Sequence, residues 1–300
     1  EPVVGTINTP TPFSTQLPII TQNDDWEIQE QDFDDVTMVL VPPGSFEMGS
    51  KPNEVNIAVA ECSGSHVNNH ICPESFFTDE TPTSIQEFKQ AFWIDRTEIT
   101  RSQYQLCVNS GWCDPIPTSI FSQEPSQPIN RVTWFQANTY CEWRNSRLPT
   151  ESEWEYAARG SDTLIFPWGN TFNGKFANHC DLNCGSAAWS SSYEYVHEEN
   201  NDNFAVTSPV GSYPDGASWV GALDMSGNVR EWTSSPYLLY PYDLQYEQGG
   251  NNGELSKNYV LRGGSFGNTS FQLRASYRRA ESPTNGFNNF GIRCARDYEQ

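Results

Sequence analysis

The chain has 300 residues and a formal net charge of -21, from 17 basic and 38 acidic side chains. That balance excludes a nucleic-acid-binding face, which has to neutralise phosphates, and it disfavours docking on anionic lipid. With 21 Gly and 20 Pro set among 17 Phe, 13 Tyr and 10 Trp, the composition excludes long amphipathic helices and implies a loop-rich fold packed on aromatic rings.

In chain order, residues 1–35 are rich in Thr, Pro and acids and carry no helical or strand period. They read as a flexible tether ahead of a folded domain spanning 36–300. No signal peptide or membrane span is visible, so the chain is expected to begin after processing or truncation and not to insert into a membrane itself. Structure begins at VTMVLVPPGSFEMGS, a short apolar strand, a Pro-Pro-Gly turn and a second strand. Three helix starts share one device: Thr100, Thr133 and Thr150 each stand three residues before Gln103, Gln136 and Glu153. That is the capping-box spacing, and it predicts helices over about 100–109, 133–145 and 150–158, the last stopped by Gly160. In the second helix Ala137, Tyr140, Cys141 and Arg144 share a face, while near the end of the chain Phe290, Ile292 and Cys294 alternate as in a half-buried strand. Beyond residue 160 the chain reads as turns and short strands, giving an α+β architecture with much coil.

Eight cysteines indicate an oxidising, extracytoplasmic compartment. Cys62 with Cys72, Cys107 with Cys113 and Cys180 with Cys184 are close enough in sequence to clip local loops, which leaves Cys141 and Cys294 for each other. No CxxC occurs, so a zinc ribbon is unsupported. His66 and His70, in HVNNH, have the spacing of two ligands on one helical turn, but a loop closed by Cys62 and Cys72 and flanked by asparagines reads as a surface excursion. No GxSxG nucleophile elbow is present, and Ser265 has no evident histidine partner.

The motifs VPPGSFEMGS, DETPTSIQEFKQAFWIDRTEITRSQY, VTWFQANTYCEWRNSRLPTESEWEYAARG, FPWGN, ALDMSGNVREWTSS, LRGGSF and NNFGIRCAR, in that order, resemble the formylglycine-generating enzyme (sulfatase-modifying factor) family over residues 36–297. The resemblance implies a compact, loop-rich α+β fold related to C-type lectins, with few short helices, small antiparallel sheets and structural calcium. One implied calcium site takes Asn178, the carbonyl of His179, Asp202 and the carbonyl of Phe204. The other takes Asp224, the carbonyls of Gly227 and Val229, and Glu231. Such sets suit calcium, which takes six to eight hard oxygens. Cys141 and Cys294 match a structural disulfide of the family, whereas a second family disulfide has no counterpart, one of its positions falling at Ala158.

In the family's enzyme two cysteines after RGGS bind copper for the oxygen-dependent conversion of a substrate cysteine to formylglycine; soft thiolates select Cu(I). Those positions fall here on Asn268 and Leu273, so no copper is expected, although Ser265 is retained. Around them Ser265, Asn268, Ser270, Gln272, Arg274, Tyr277 and Arg278 make a polar and aromatic stretch of the kind recognition surfaces favour. For Arg274 and Arg278 the alternative is packing under tryptophans or pairing with core acids. The expected function is therefore a non-catalytic, calcium-stabilised extracytoplasmic domain that binds a protein or glycan ligand or assembles at a cell surface. The alternative is a metal-dependent oxidoreductase of the formylglycine-generating type with a divergent active site.

Overall fold

A computed structural model of the chain describes residues 17–65, 71–186, 201–243 and 258–299. An antiparallel sheet orders β1 (Glu30–Phe33), β2 (Val36–Val41), β5 (Phe92–Asp95) and β10 (Ala295–Asp297) side by side. A hairpin-like pair, β3 (Gly44–Met48) and β4 (Ser84–Phe88), flanks it. A further sheet runs β8 (Arg279–Glu281), β7 (Tyr259–Arg262), β6 (Arg230–Pro236) and β9 (Phe290–Gly291), the last pairing parallel. The α+β class expected from the sequence holds.

The capping boxes place three helices: α2 (Arg101–Asn109), α3 (Trp134–Trp143) and α4 (Glu151–Arg159). At α4 the Glu153 N–H donates to Thr150 Oγ1 at 3.1 Å while Thr150 N–H donates to Glu153 Oε2 at 2.8 Å. Each bond satisfies an amide the helix cannot. Thr150→Ala is expected to lower stability by about 1 kcal/mol, read from urea unfolding. An earlier helix, α1 (Pro52–Ser65), was not expected from the sequence, and a short α5 (Leu182–Ser186) follows Cys180.

Two cores meet at α4 and β6. Met38, Leu40, Phe92 and Ile94 of the first sheet pack in one cluster with Trp154, Ala157 and Ala158 of α4. Tyr104, Tyr140 and Cys141 pack in another with Trp232, Leu261, Phe290 and Cys294. The four disulfides join Cys62–Cys72, Cys107–Cys113, Cys180–Cys184 and Cys141–Cys294, the pairings expected from spacing and from the family.

Two expectations shift. The predicted strand over Phe290–Cys294 shortens to β9, with Ile292 and Cys294 in the link that leads to β10, although the alternating side chains stay buried. The folded frame also starts before residue 36. Ile20 N–H donates to Pro43 O at 2.8 Å, Trp26 is buried, and β1 forms the edge of the first sheet. Three of the four β1 residues are exposed, so that strand has no apolar alternation to read. Residues 1–16 lie outside the described residues.

Candidate functional site

β7 delivers the RGGSF turn to the centre of the molecule. Gly263 and Gly264 have φ of +90° and +68°, and a Cβ on Gly264 would stand 2.6 Å from Gln272 O. Only glycine relieves both demands at once. The turn presents Ser265, whose hydroxyl donates to Asn268 Oδ1 at 2.8 Å and accepts from Asn289 Nδ2 at 3.2 Å. Asn268 Nδ2 then donates to Gln272 Oε1 at 2.7 Å, and Gln272 Nε2 to the Tyr277 hydroxyl at 3.4 Å. Leu273 is fully buried with Ile165, Phe166 and Ala177. The two positions that carry thiolates in the copper enzyme are thus one link in an amide chain and one core apolar side chain. No cysteine is free, all eight being disulfide-bonded.

Beside this chain lies a cavity of about 390 Å³ lined by Ser119, Ile120, Phe121, Arg131, Phe287 and Asn288, among others. Phe121 stacks on Phe266 of the turn at 5.8 Å, and Asn288 precedes the Asn289 that holds Ser265. Ile120 and Phe287 are 69% and 50% exposed, which gives the cavity an apolar rim.

The stretch expected as a recognition surface is mostly interior. Ser265, Asn268, Ser270, Arg274 and Arg278 are buried, and only Gln272 and Tyr277 are partly open. Arg274 meets both oxygens of Glu80 at 2.7 Å; Arg278 meets both oxygens of Glu151 at 2.8 and 2.7 Å and stacks over Tyr240. Both arginines therefore take the alternative role, pairing with core acids. A guanidinium withdrawn from water needs a carboxylate, and its fork matches one. The same device recurs at Arg159 with Glu155, Arg262 with Glu155, Arg293 with Glu231 and Arg144 with Asp95.

The two oxygen sets implied for calcium differ in what they have left to offer. In the first, Asn178 is fully buried and its Nδ2 donates to Val206 O at 2.9 Å, while its Oδ1 accepts no hydrogen bond. A buried amide oxygen without a donor is costly unless a cation or water meets it. Asp202 accepts the backbone N–H groups of His179 and Phe204 at 2.9 and 2.8 Å, and burial pushes its carboxyl up to about 7. The donors present fit a hard cation.

In the second set Asp224 accepts the Gly211 N–H at 2.6 Å, and burial pushes its carboxyl up to about 6. Glu231 is already committed: Arg293 donates to both its oxygens at 2.8 and 2.7 Å, and Trp154 Nε1 to one of them. A carboxylate with its charge matched and three of about four acceptor sites filled is a poorer calcium ligand. The carbonyls of Gly227 and Val229 lie on the turn between Asp224 and Glu231; the Gly227 N–H donates to Gly263 O at 2.8 Å. Gly227 also passes so close to Asn178 O that a Cβ there would clash, which ties the two sets together.

Two acids of this region were not singled out from the sequence. Glu98 accepts from Val229 N–H at 2.8 Å and Asn228 Nδ2 at 2.6 Å; burial, then the charges of Asp224 and Glu231, hold its carboxyl well above its ordinary value. Asp181 accepts the backbone N–H groups of Asn183 and Asp202 within the turn that Cys180–Cys184 closes. Its signal was present, an acid held between two close cysteines; Glu98 shows none, since its partners lie 130 residues away. Among the described residues no three His, Cys, Asp or Glu side chains converge as a metal site, so any ion here draws on amide and backbone oxygens as well. His66 and His70 lie outside the described residues.

A family model described as the sulfatase-modifying factor enzyme 1-like domain matches residues 24–298. The chain is 32% identical over 289 residues to the "Inactive C-alpha-formylglycine-generating enzyme 2" of Bos taurus, covering 87% of this chain and 88% of that protein. It is 30% identical over 296 residues to the "Formylglycine-generating enzyme" of Mus musculus, covering 87% and 75%. The solved structure of PvdO from Pseudomonas aeruginosa superposes with a TM-score of 0.61 at 24% identity, over 88% of this chain and 95% of that one, a likeness of fold. With the model matched from end to end of the folded frame, the chain belongs to the sulfatase-modifying factor family.

Proposed function

We propose that this chain is a non-catalytic, calcium-stabilised binding domain of its family, acting outside the cytoplasm on a protein or glycan ligand or in a surface assembly. The observation that carries the reading is the replacement of the copper thiolates. Asn268 is bonded to Ser265 and Gln272, Leu273 is sealed in the core, and no cysteine is free to stand in. Copper(I) needs soft ligands, and amide oxygens are hard ones. The relative named inactive supports the same direction. Four disulfides support an oxidising compartment. The cavity beside Ser265, with its apolar rim, is the place where a ligand sits.

Calcium occupies first of all the set around Asn178 and Asp202. Removing it with a chelator is expected to lower the melting temperature, because an ion that binds only the folded chain stabilises it by mass action, about 2.7 kcal/mol at a hundredfold excess over Kd. Asn178→Ala is expected to erase that calcium-dependent increment, whatever it does to the metal-free chain. Equal increments in parent and variant, measured by calorimetry with and without chelator, contradict the assignment. Glu231→Ala is not the right probe. It strands the buried Arg293 charge and is expected to destabilise the chain equally with and without calcium.

A further inference from the structure

A larger cavity, about 620 Å³, opens between α1, the 3-10 turn Glu74–Glu80 and the segment Thr81–Thr83 leading into β4. Its size falls within the range of about 300–1,000 Å³ typical of small-ligand sites. It shares no lining residue with the cavity beside Ser265. Val55, Phe77 and Pro82 give it apolar walls, Phe77 being held edge-on against Phe271 at 6.0 Å.

The polar lining has a one-sided chemistry. The hydroxyls of Ser50, Thr78, Thr81 and Thr83 each donate into the protein, to Glu80 Oε2, Ser75 O, Thr78 O and Glu47 Oε1 at 2.6, 3.1, 3.0 and 2.6 Å. With its hydrogen spent, each threonine oxygen offers the cavity lone pairs only, whereas Ser50 Oγ is buried and also accepts from Arg274 Nη1 at 3.3 Å. The neighbouring ion pairs cancel: Glu54 with Arg159, Glu80 with Arg274, Glu47 with Lys51. Glu54 also sits in the first turn of α1, where it offsets the positive end of that helix. Glu74 is the charged residue in the lining; it is exposed, and among the described residues no basic side chain pairs with it.

Asn56, exposed on α1, adds a carboxamide that can turn its oxygen toward the cavity. A rim rich in acceptors, one uncompensated carboxylate and apolar walls together define a complement. We propose that this cavity binds a primary alkylammonium, the head carried by a lysine side chain or by a free diamine. Three N–H donors meet the hydroxyl oxygens and the Glu74 carboxylate, and the methylene stem lies along Val55 and Pro82. The net charge of -21 draws cations toward the surface and adds to the encounter rate at low salt.

The test is calorimetric titration at low ionic strength with three probes: cadaverine, acetyl-glycyl-lysyl-glycine amide, and the isosteric peptide with norleucine in place of lysine. Cadaverine or the lysine peptide is expected to bind and the norleucine peptide not. The tighter of the two amines identifies the source as a free diamine or a protein lysine. Glu74→Gln is expected to weaken binding about fivefold, the scale of one exposed charge pair, and Glu74→Lys to abolish it. Glu74 is exposed, so both variants fold, which circular dichroism checks. Equal affinity for the lysine and norleucine peptides, no heat with either amine, or unchanged binding by Glu74→Lys overturns the proposal.

Discussion

Arg274→Ala is expected to destabilise the chain by about 3–5 kcal/mol, measured by urea unfolding at neutral pH. The cost comes less from the lost attraction than from what is left behind. Glu80 is 1% exposed, and with Arg274 gone its carboxylate keeps only hydroxyl partners at Ser50 and Ser276. Arg274 also packs over the Phe77 ring at 5.1 Å and donates from Nε to Phe271 O at 2.9 Å, so truncation removes packing too. A double variant, Arg274→Met with Glu80→Leu, is expected to recover most of the loss, because a buried pair replaced by apolar volume leaves no charge unpaired. A recognition arginine at the surface behaves differently: its removal shifts stability by no more than about 0.5 kcal/mol. A small change on Arg274→Ala returns that residue to the binding surface.

The second large effect belongs to the disulfide that joins α3 to the end of the chain. Cys141 and Cys294 are 153 residues apart, and closing a loop of that length is worth about 5 kcal/mol in the chain-entropy model, an upper figure. Cys180–Cys184 spans only 4 residues and is worth about 2 kcal/mol on the same reckoning. Replacing each pair by alanines and comparing urea midpoints is expected to place the Cys141–Cys294 variant far below the other. The reverse order contradicts a stapling role for the long bridge. Both half-cystines lie in one apolar cluster with Tyr140 and Phe290, so alanine also leaves a small void there.

What the sequence made legible, and what it hid, follows the range of the interactions. The three helix starts were readable because a capping box is written within four residues and needs nothing from the rest of the chain. α1 was equally local: Pro52 at its first position and Val55, Ala58, Val59 and Cys62 at helical spacing are a start signal and an apolar stripe. Its last turn, Cys62-Ser-Gly-Ser65, carries loop-forming residues and leads into the loop that Cys62–Cys72 closes, which masks the helix in the sequence.

The arginines are the opposite case. Arg274 finds Glu80 at a separation of 194 residues and Arg278 finds Glu151 at 127, so their sequence neighbours, serine, tyrosine and asparagine, gave the look of a recognition surface. Composition does not report which guanidinium is buried. The start of the folded frame was hidden for another reason. β1 is an edge strand whose first three residues are exposed and polar like those of a linker, with Phe33 alone packing on Trp93.

The site itself was legible where a motif carried it and silent elsewhere. LRGGSF located the turn, and the absence of cysteine at 268 and 273 followed from reading along the chain. That Asn268 would bridge Ser265 to Gln272, and that the Cys180 N–H would donate to Asn268 O at 2.7 Å, required the fold. This last bond ties Asn268 to the loop that carries Asn178 and His179.

The most direct test is to titrate the fully oxidised chain with Cu(I) under a competing chelator and then to follow oxygen uptake in the presence of a cysteine-containing peptide. The chain is expected to take up no stoichiometric copper and to consume no oxygen in response to the thiol. A copper ion retained at one per chain, with oxygen uptake that requires the peptide, contradicts the reading and makes this protein an oxidase that has found other ligands.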